Sequence, residues 1–140
     1  MNMNKIEIKE SNGEVIYTYE GENATIKDAV EDAVKKGVNL SLAVIRNANL
    51  EGADLCGANL YRADLEGANL EDVNLEIAFI KNAVLKRANL CGANLYNADL
   101  EETDLSDANL TRASLEFTHL YGTNFFNANL KDTELEKYQN

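Results

Sequence analysis

Residues 48–72 read ANLEGADLCGANLYRADLEGANLED, a run of five-residue units that share one pattern. The same register continues through twenty units, from Val38 to Lys137, without insertion or deletion. The central residue of each unit, which we call the hub, is Leu in seventeen units; the exceptions are Ile45, Ile80 and Phe125. A small residue stands two positions before the hub, Asn or Asp usually precedes it, and polar residues or Gly follow it. This repeat decides the fold.

A period of five residues fits neither an α-helix nor a flat strand. On a helix, hubs at this spacing would step around the axis by about 140° and face every direction. On a strand, an odd spacing would place successive hubs on opposite faces. All hubs share one interior only if the chain bends in every unit, where Asn, Asp and Gly favour turns. We therefore predict a chain that coils and stacks each coil on the one before.

The triplet ANL indicates the length of one coil. Five of its seven occurrences are spaced by twenty residues and begin at Ala48, Ala68, Ala88, Ala108 and Ala128. Twenty residues are four units, which predicts a square cross-section and five coils over residues 38–137. The Asn of each of these triplets would then stack along the axis, and we predict a ladder of side-chain hydrogen bonds: Asn49, Asn69, Asn89, Asn109 and Asn129.

The A(D/N)LXX units resemble those of the pentapeptide repeat family, and the resemblance covers 100 of the 140 residues. It implies an all-β solenoid, a right-handed quadrilateral β-helix of about five coils with four pentapeptides each. Small bacterial and phage members of this family include some with a similar leader before the repeats. Some members inhibit or protect DNA gyrase by mimicking DNA. The resemblance implies a fold, but it does not assign an activity, because one fold hosts many functions.

Residues 1–37 predict a leader made of a β-hairpin and a helix. Asn12-Gly13 favours a two-residue type I′ turn between alternating apolar residues. The turn predicts three strand pairs, which are Ile6–Tyr19, Ile8–Tyr17 and Glu10–Val15. These pairs place the apolar side chains on one face of the hairpin, so the turn and the hydrophobic pattern agree on the register.

Thr25 and Asp28 form a capping-box pattern, and Gly37 marks the end of the predicted helix. Its apolar stripe is Ile26, Ala29, Val30, Ala33 and Val34. A helix this short is marginal alone, so we predict that it docks with the hairpin on the open end of the first coil, around Leu40 and Leu42. There it would cover unpaired strand edges. The alternative interpretation is a separate binding module.

The chain length suggests one domain, organised as leader 1–37, repeats 38–137 and tail 138–140. The net charge is −11, with −3 from residues 1–37 (five basic, eight acidic) and −8 from residues 38–140 (eight basic, sixteen acidic). This balance argues against direct binding of nucleic acid or an anionic membrane. It is compatible with a protein partner that has a basic surface, and also with a purely solubilising role.

Cys56 and Cys91 each follow a hub and should face outward, about 10 Å apart along the axis and beyond disulfide reach. Free thiols, together with the absence of a signal peptide and of a long apolar run, predict a cytoplasmic protein.

The sequence predicts no catalytic residue, cofactor site or metal site. His119 is the single histidine and stands at a surface position, while the acidic residues between 99 and 107 have the character of a solvated corner. The interior is filled by Leu and Ala. We therefore predict a non-enzymatic interaction or scaffold protein with an unidentified protein partner, and not an enzyme.

Three surfaces are candidates for that partner. Ile77, Phe79 and Val84 replace polar residues within one coil and form either a partner patch or tolerated drift at partly buried corners. The last coil carries aromatic residues, which predict a two-fold homodimer through an uncapped end unless the tail folds over that end: Phe117, Tyr121, Phe126 and, in the tail, Tyr138.

The third surface belongs to the alternative function, an acidic DNA mimic that binds or protects a DNA-binding protein such as DNA gyrase. One face carries the acids that would serve it: Asp54, Glu76, Glu116, Glu134 and Glu136. Two features oppose mimicry. Five coils make a short rod, and basic residues interrupt the other faces at Arg46, Arg62, Lys86 and Arg87.

Overall fold

The structure is a computed structural model that describes residues 2–139. The leader contains β1 (Met3–Glu10), β2 (Val15–Glu22) and α1 (Ile26–Lys35). A two-residue strand, β3 (Ala43–Val44), opens the repeats, and a short 3₁₀ helix, Glu136–Tyr138, closes the described chain. The predicted boundaries at Met1 and Asn140 lie outside the described residues.

Parallel bridges join residues that are twenty positions apart, from Val44 with Asp64 to Asn109 with Asn129. From Leu40 to Leu110, each hub N–H donates to a carbonyl of the following coil, as from Leu50 to Asn69 at 2.8 Å. The residue before the hub donates back, as from Asn69 to Ala48 at 2.9 Å. These bonds confirm the twenty-residue coil that the ANL triplets predict, with four units in each turn of the chain.

The hubs form one continuous hydrophobic column. From Leu40 to Leu115 each hub is at most 4% exposed. The small residue two positions before the hub is also buried from Ala43 to Ala113, while Val38 is half-buried. Thr103 occupies one of these small positions, and its hydroxyl donates to the Ile80 carbonyl at 2.9 Å, so the interior contains no unpaired hydroxyl there. Burial loosens in the last coil, where Leu120 and Phe125 are half-buried.

The second residue after the hub turns the corner in a left-handed conformation. Its φ is positive in every unit from Leu42 (65°) to Asp132 (59°). Gly, Asn and Asp tolerate this conformation best, which explains their frequency at the corners. Ile77, with φ of 52°, is a β-branched exception and therefore a strained position.

The predicted asparagine ladder is present over four of its five members. Asn69 donates to Asn49 at 3.2 Å, Asn89 to Asn69 at 3.3 Å and Asn109 to Asn89 at 3.3 Å. Between residues 2 and 139 the structure shows no such bond from Asn129 to Asn109. The ladder therefore ties the upper four coils together and ends before the last.

The hairpin has the predicted register over most of its length. β1 pairs antiparallel with β2 and joins Ile8 to Tyr17 and Ile6 to Tyr19. On its other edge, β1 pairs antiparallel with β3, so the sheet order is β2-β1-β3. The hairpin thus extends the first coil through main-chain hydrogen bonds.

The predicted pair of Glu10 with Val15 is wrong, because Val15 pairs with Lys9 across a bulge. Within the turn only Gly13 has a positive φ, 87°, whereas a type I′ turn also needs one at Asn12. The loop is therefore longer than predicted, and the bulge absorbs the extra residue.

The helix signals are confirmed. The Thr25 hydroxyl accepts the Asp28 N–H at 3.2 Å, and the Asp28 carboxylate accepts the Thr25 N–H at 2.8 Å, which completes the capping box. The buried face of α1 consists of Ala29, Val30 and Ala33. Gly37, at φ of 71°, ends the helix in the conformation typical of a C-terminal glycine.

The helix docks on the first coil as predicted. The Glu31 carboxylate accepts the Asp54 N–H at 2.9 Å, and this amide has no preceding coil to bond. Leu40 is completely buried, but the prediction that Leu42 also lies beneath the leader is wrong. Leu42 is 43% exposed, because it occupies a corner position whose side chain points outward.

One side-chain cluster links the hairpin to the helix. The Tyr17 hydroxyl donates to the Asp32 carboxylate, and Lys36 pairs with the same carboxylate at 2.8 Å. The hydrogen bonds from Lys36 and Tyr17 hold the pKa of Asp32 below its ordinary value, and the bond to Asp32 raises the pKa of Lys36.

The tail folds partly over the lower end of the column. The Leu115 N–H donates to Glu134 at 3.0 Å, and the Leu130 N–H donates to Gln139 at 3.2 Å. Gln139 also donates to the carbonyl of Ala128. Within the described part of the chain, the amides of Leu120, Gly122 and Phe125 make no hydrogen bond, so the lower edge is only partly covered.

We predict that Asn89→Asp lowers the free energy of unfolding by about 2 kcal/mol. The change removes the donor to Asn69 and Glu71, and it keeps the oxygen that accepts the Cys91 N–H at 3.2 Å. The control is Asn129→Asp, outside the ladder, with an expected loss below about 0.5 kcal/mol. Urea unfolding at constant m-value measures both. Equal losses in the two variants would show that the ladder is not stabilising.

As pH falls, we expect the leader to lose protection from hydrogen exchange before the repeats do. Folding lowers the pKa of Asp32. The stability that its carboxylate contributes is therefore fully present above the pKa of the unfolded state, about 3.9, and is lost as pH falls through the pKa of the folded state. Hydrogen exchange in residues 15–36, corrected for intrinsic rates, should therefore accelerate below about pH 4. In Asp32→Asn this acceleration should be smaller, whereas Glu22→Gln, an exposed carboxylate outside the cluster, should behave as wild type. An unchanged profile in Asp32→Asn would contradict this account.

Candidate interaction surfaces

The outer surface of the column carries exposed apolar and acidic residues. Among residues 2–139 no group of three or more His, Cys, Asp and Glu is placed to hold a metal ion, and His119 is exposed. None of the helices in the described chain has the length and apolar character needed to cross a membrane. The exposed apolar and acidic residues are the candidate interaction surfaces.

The structure divides the predicted patch of Ile77, Phe79 and Val84. Ile77 is 53% exposed and Phe79 is 40% exposed, while Val84 is half-buried on the next face, where it bridges Asp64 and Asp104. Only Ile77, at a corner, and Phe79, at the start of the next face, are exposed neighbours. Neutral sequence variation at a partly buried position is enough to explain Val84, but it does not explain two exposed apolar residues.

The predicted dimer residues ring the lower end rather than form one cluster. Phe117, Tyr121, Phe126 and Tyr138 are 70–79% exposed. Within residues 2–139 their rings make no contact with one another. Phe117 instead meets the ring of Tyr96 edge-on, with centroids 5.4 Å apart.

Three of the five predicted mimic acids, Asp54, Glu76 and Glu116, share one face of the column. The other two, Glu134 and Glu136, follow the last parallel bridge at Asn129, and Glu136 begins the closing 3₁₀ helix. None of the five takes part in an ion pair within the described chain. Three of them accept main-chain N–H groups instead: Asp54 accepts from Cys56 at 3.2 Å, and Glu134 from Leu115 and Glu136 from Asp132, each at 3.0 Å.

Acids on other faces are partly neutralised. Arg46 pairs with Asp64 at 2.6 Å, Arg87 pairs with Glu66, and Lys81 pairs with Glu101 at 2.8 Å. The acids on the face that carries Glu76 and Glu116 lack such ion pairs within residues 2–139, so their charge is not neutralised in this way.

A groove of about 510 Å³ between α1 and the first coil was not predicted. Its lining is Glu31, Val34, Lys35, Asp54 and Cys56. The apolar stripe of α1 predicts that the helix docks on the first coil. The width of the groove depends on the exact position of α1 along the column axis, and no local sequence pattern determines that position.

Both cysteines are free thiols. Burial raises the pKa of the Cys56 thiol, and the carboxylates of Glu76 and Asp54 raise it further. Cys91 accepts a hydrogen bond from the Arg112 guanidinium at 3.2 Å. A raised thiol pKa lowers the thiolate fraction at neutral pH, so the groove presents Cys56 as a weak nucleophile.

Known proteins resemble this chain in both sequence and structure. The chain matches the model of the pentapeptide repeat family (Pentapeptide repeats, eight copies) over residues 39–76, 78–107 and 103–137. No curated protein matches the chain significantly.

Two solved structures show the similarity. The crystal structure of the pentapeptide repeat protein Rfr23, from the cyanobacterium Cyanothece 51142, is 42% identical with a TM-score of 0.64, and the match covers 66% of this chain and 63% of Rfr23. A trypsin-treated form of QnrB1, a plasmid-mediated fluoroquinolone resistance protein, is 22% identical with a TM-score of 0.57, and its match covers 66% of this chain and 50% of QnrB1. The second similarity concerns the fold alone.

The match thus spans less than two thirds of either relative, whereas the repeat pattern spans nearly all of residues 39–137 of this chain. With twenty-residue coils already established from the parallel bridges, this chain belongs to the pentapeptide repeat family.

Proposed function

We propose that the protein is a non-enzymatic interaction or scaffold protein that acts through the outer surface of its repeats, an all-β solenoid coiled in the right-handed sense of a quadrilateral β-helix. The observation that carries the proposal is the division between core and surface. Hubs such as Leu60 and Leu90 fill the interior, while large apolar side chains such as Ile77 and Phe117 remain exposed on the outside. A surface of this kind suits a macromolecular partner rather than a small substrate.

The partner in this proposal is a protein. The net charge of −11 opposes direct contact with nucleic acid or an anionic membrane. The free thiols of Cys56 and Cys91 are typical of a reducing compartment, which supports a cytoplasmic location.

Capture with surface variants tests this function. The full chain, immobilised, is exposed to an extract of its source cells, and the bound proteins are quantified by mass spectrometry. Four variants each replace exposed side chains at one corner of the column by Ser, and only those with unchanged melting temperatures are compared. We expect one corner variant to lose a set of bound proteins that the other three retain. Identical profiles for all four would contradict a surface-mediated function.

Mimicry of DNA is the second candidate, favoured by the unpaired acids Asp54, Glu76 and Glu116 on one face. The ion pairs on the other faces oppose it, because a duplex presents negative charge on every side. A supercoiling assay with DNA gyrase distinguishes the two functions. Inhibition or protection by excess protein, lost in Glu76→Gln/Glu116→Gln, would support mimicry; the absence of any effect would remove it.

We also propose a homodimer through the last coil. Its support is the row of amides at Leu120, Gly122 and Phe125 that make no hydrogen bond within residues 2–139, beside the exposed ring of Phe126. An unpaired strand edge next to exposed aromatic residues favours association with a second copy.

We predict that Phe126→Lys weakens this dimer at least about tenfold, equivalent to 1.4 kcal/mol, because it places a charge in an apolar contact. Light scattering coupled to size exclusion, over a range of concentrations, measures the mass. Val15→Lys, which replaces an exposed apolar residue of the leader, should leave the dimer intact. A wild-type monomer at every concentration would mean that Glu134 and Gln139 close the column by themselves.

A further inference from the structure

We propose that one corner of the column binds an apolar segment of a partner protein that is flanked by Lys or Arg. This inference rests on the proposed function and adds the surface and the chemistry of the partner. We name the site the acidic-aromatic corner and define it by its apolar members, Tyr61, Ile77, Phe79, Tyr96 and Phe117, and its acids, Glu76, Asp99 and Glu116.

The apolar members form a strip made of two ring pairs, with Ile77 between them. The Ile77 N–H donates to the Tyr96 carbonyl at 2.9 Å, and the Tyr96 ring meets Phe117 with centroids 5.4 Å apart. Phe79 follows Ile77 by two residues and stacks on Tyr61 at 5.7 Å. At about 4.8 Å per coil, the strip extends over about 13 Å along the axis, which suits a short peptide segment.

Two members of the strip are unfavourable for the fold itself. Ile77 and Phe117 occupy the same corner series, where the alternating positions are Gly57 and Asn97, and they have φ of 52° and 59°. Left-handed backbone disfavours both side chains, above all the β-branched one. Exposures of 53% and 70% mean that burial does not compensate. Strained and exposed apolar residues are expected where function, rather than stability, determines the residue.

The border of the strip determines the charge of the partner. Glu76 precedes Ile77 and Glu116 precedes Phe117. Asp99 lies one coil after Phe79 and forms a β-bridge with it. None of these acids belongs to an ion pair within residues 2–139. Two cations lie beside the strip: Lys81 pairs with Glu101 at 2.8 Å, and Arg62 lies 5.9 Å from the centroid of the Tyr61 ring, at the end of the strip opposite Phe117.

An acidic border complements Lys and Arg. A second copy of this chain would bring the same acids against one another, which disfavours self-association at this corner. The occupant is therefore a different protein, whose apolar side chains meet the strip while its basic residues meet Glu76 and Glu116.

Val15 provides the control for loss of an exposed apolar side chain. It is 44% exposed and lies in β2 of the leader, outside the repeats that carry the strip. Replacement of Ile77 or Phe117 by Asn should relieve strain, and we expect the melting temperature to rise by about 2–3 °C.

The experiment selects ligands without bias. Random dodecapeptides displayed on phage are selected on the full wild-type chain, and enriched peptides are titrated by fluorescence anisotropy against wild type and the three Asn variants. We expect enriched peptides to combine apolar residues with flanking Lys or Arg. Their binding should weaken at least tenfold in Ile77→Asn and Phe117→Asn, remain within twofold in Val15→Asn, and weaken with added salt.

Four outcomes would contradict the inference. Enriched peptides without an excess of Lys and Arg, binding unchanged in Ile77→Asn, or no enrichment at all would each overturn the inference. A doubled mass that depends on Ile77 in light scattering would also overturn it, in favour of a second copy. If extract capture still maps to another corner, the proposed function stands and only this assignment fails.

Discussion

The hydrogen bonds between successive coils are the constraint on which the rest of the structure depends. A hub amide such as that of Leu50 reaches the carbonyl of Asn69 only if the chain has returned to the same face after twenty residues. Four bends per coil are therefore obligatory, and each bend requires one residue in the left-handed conformation. The repeat pattern satisfies this requirement with an apolar residue inside, an Asn or Asp before it, and a turn-forming residue two positions after it.

The same bonds create two open edges, which the chain treats differently. The upper edge is covered by strand β1 and by the Glu31 carboxylate on the Asp54 amide. The lower edge receives only side chains of the tail, from Glu134 and Gln139. Main-chain pairing and a docked hydrophobic face cover part of the upper end, while in the described chain the lower end keeps unbonded amides and exposed rings. The two ends therefore differ in their capacity to meet another protein.

Much of this fold can be predicted from the sequence, because its determinants are local or strictly periodic. The ANL spacing predicts the coil, the stacked Asn residues predict the ladder, and Thr25 with Asp28 predicts the helix start. The hairpin bulge was missed because Asn12-Gly13 is compatible with more than one turn. The acidic-aromatic corner was only half recognised: Ile77 and Phe79 are neighbours in sequence, but Tyr96 and Phe117 join them only when the coils are stacked in phase.

The corner geometry has a consequence for how such a protein changes over time. An insertion of twenty residues would lengthen the column and leave every side of it aligned. An insertion of five residues would suit the interior equally well, since each unit buries the same kind of hub. It would nevertheless rotate everything below it by a quarter of a turn, and an insertion between Ile77 and Phe117 would separate them onto different sides. The core thus accepts a change of length that the exterior does not, so recognition, rather than folding, would fix the number of units between those two residues.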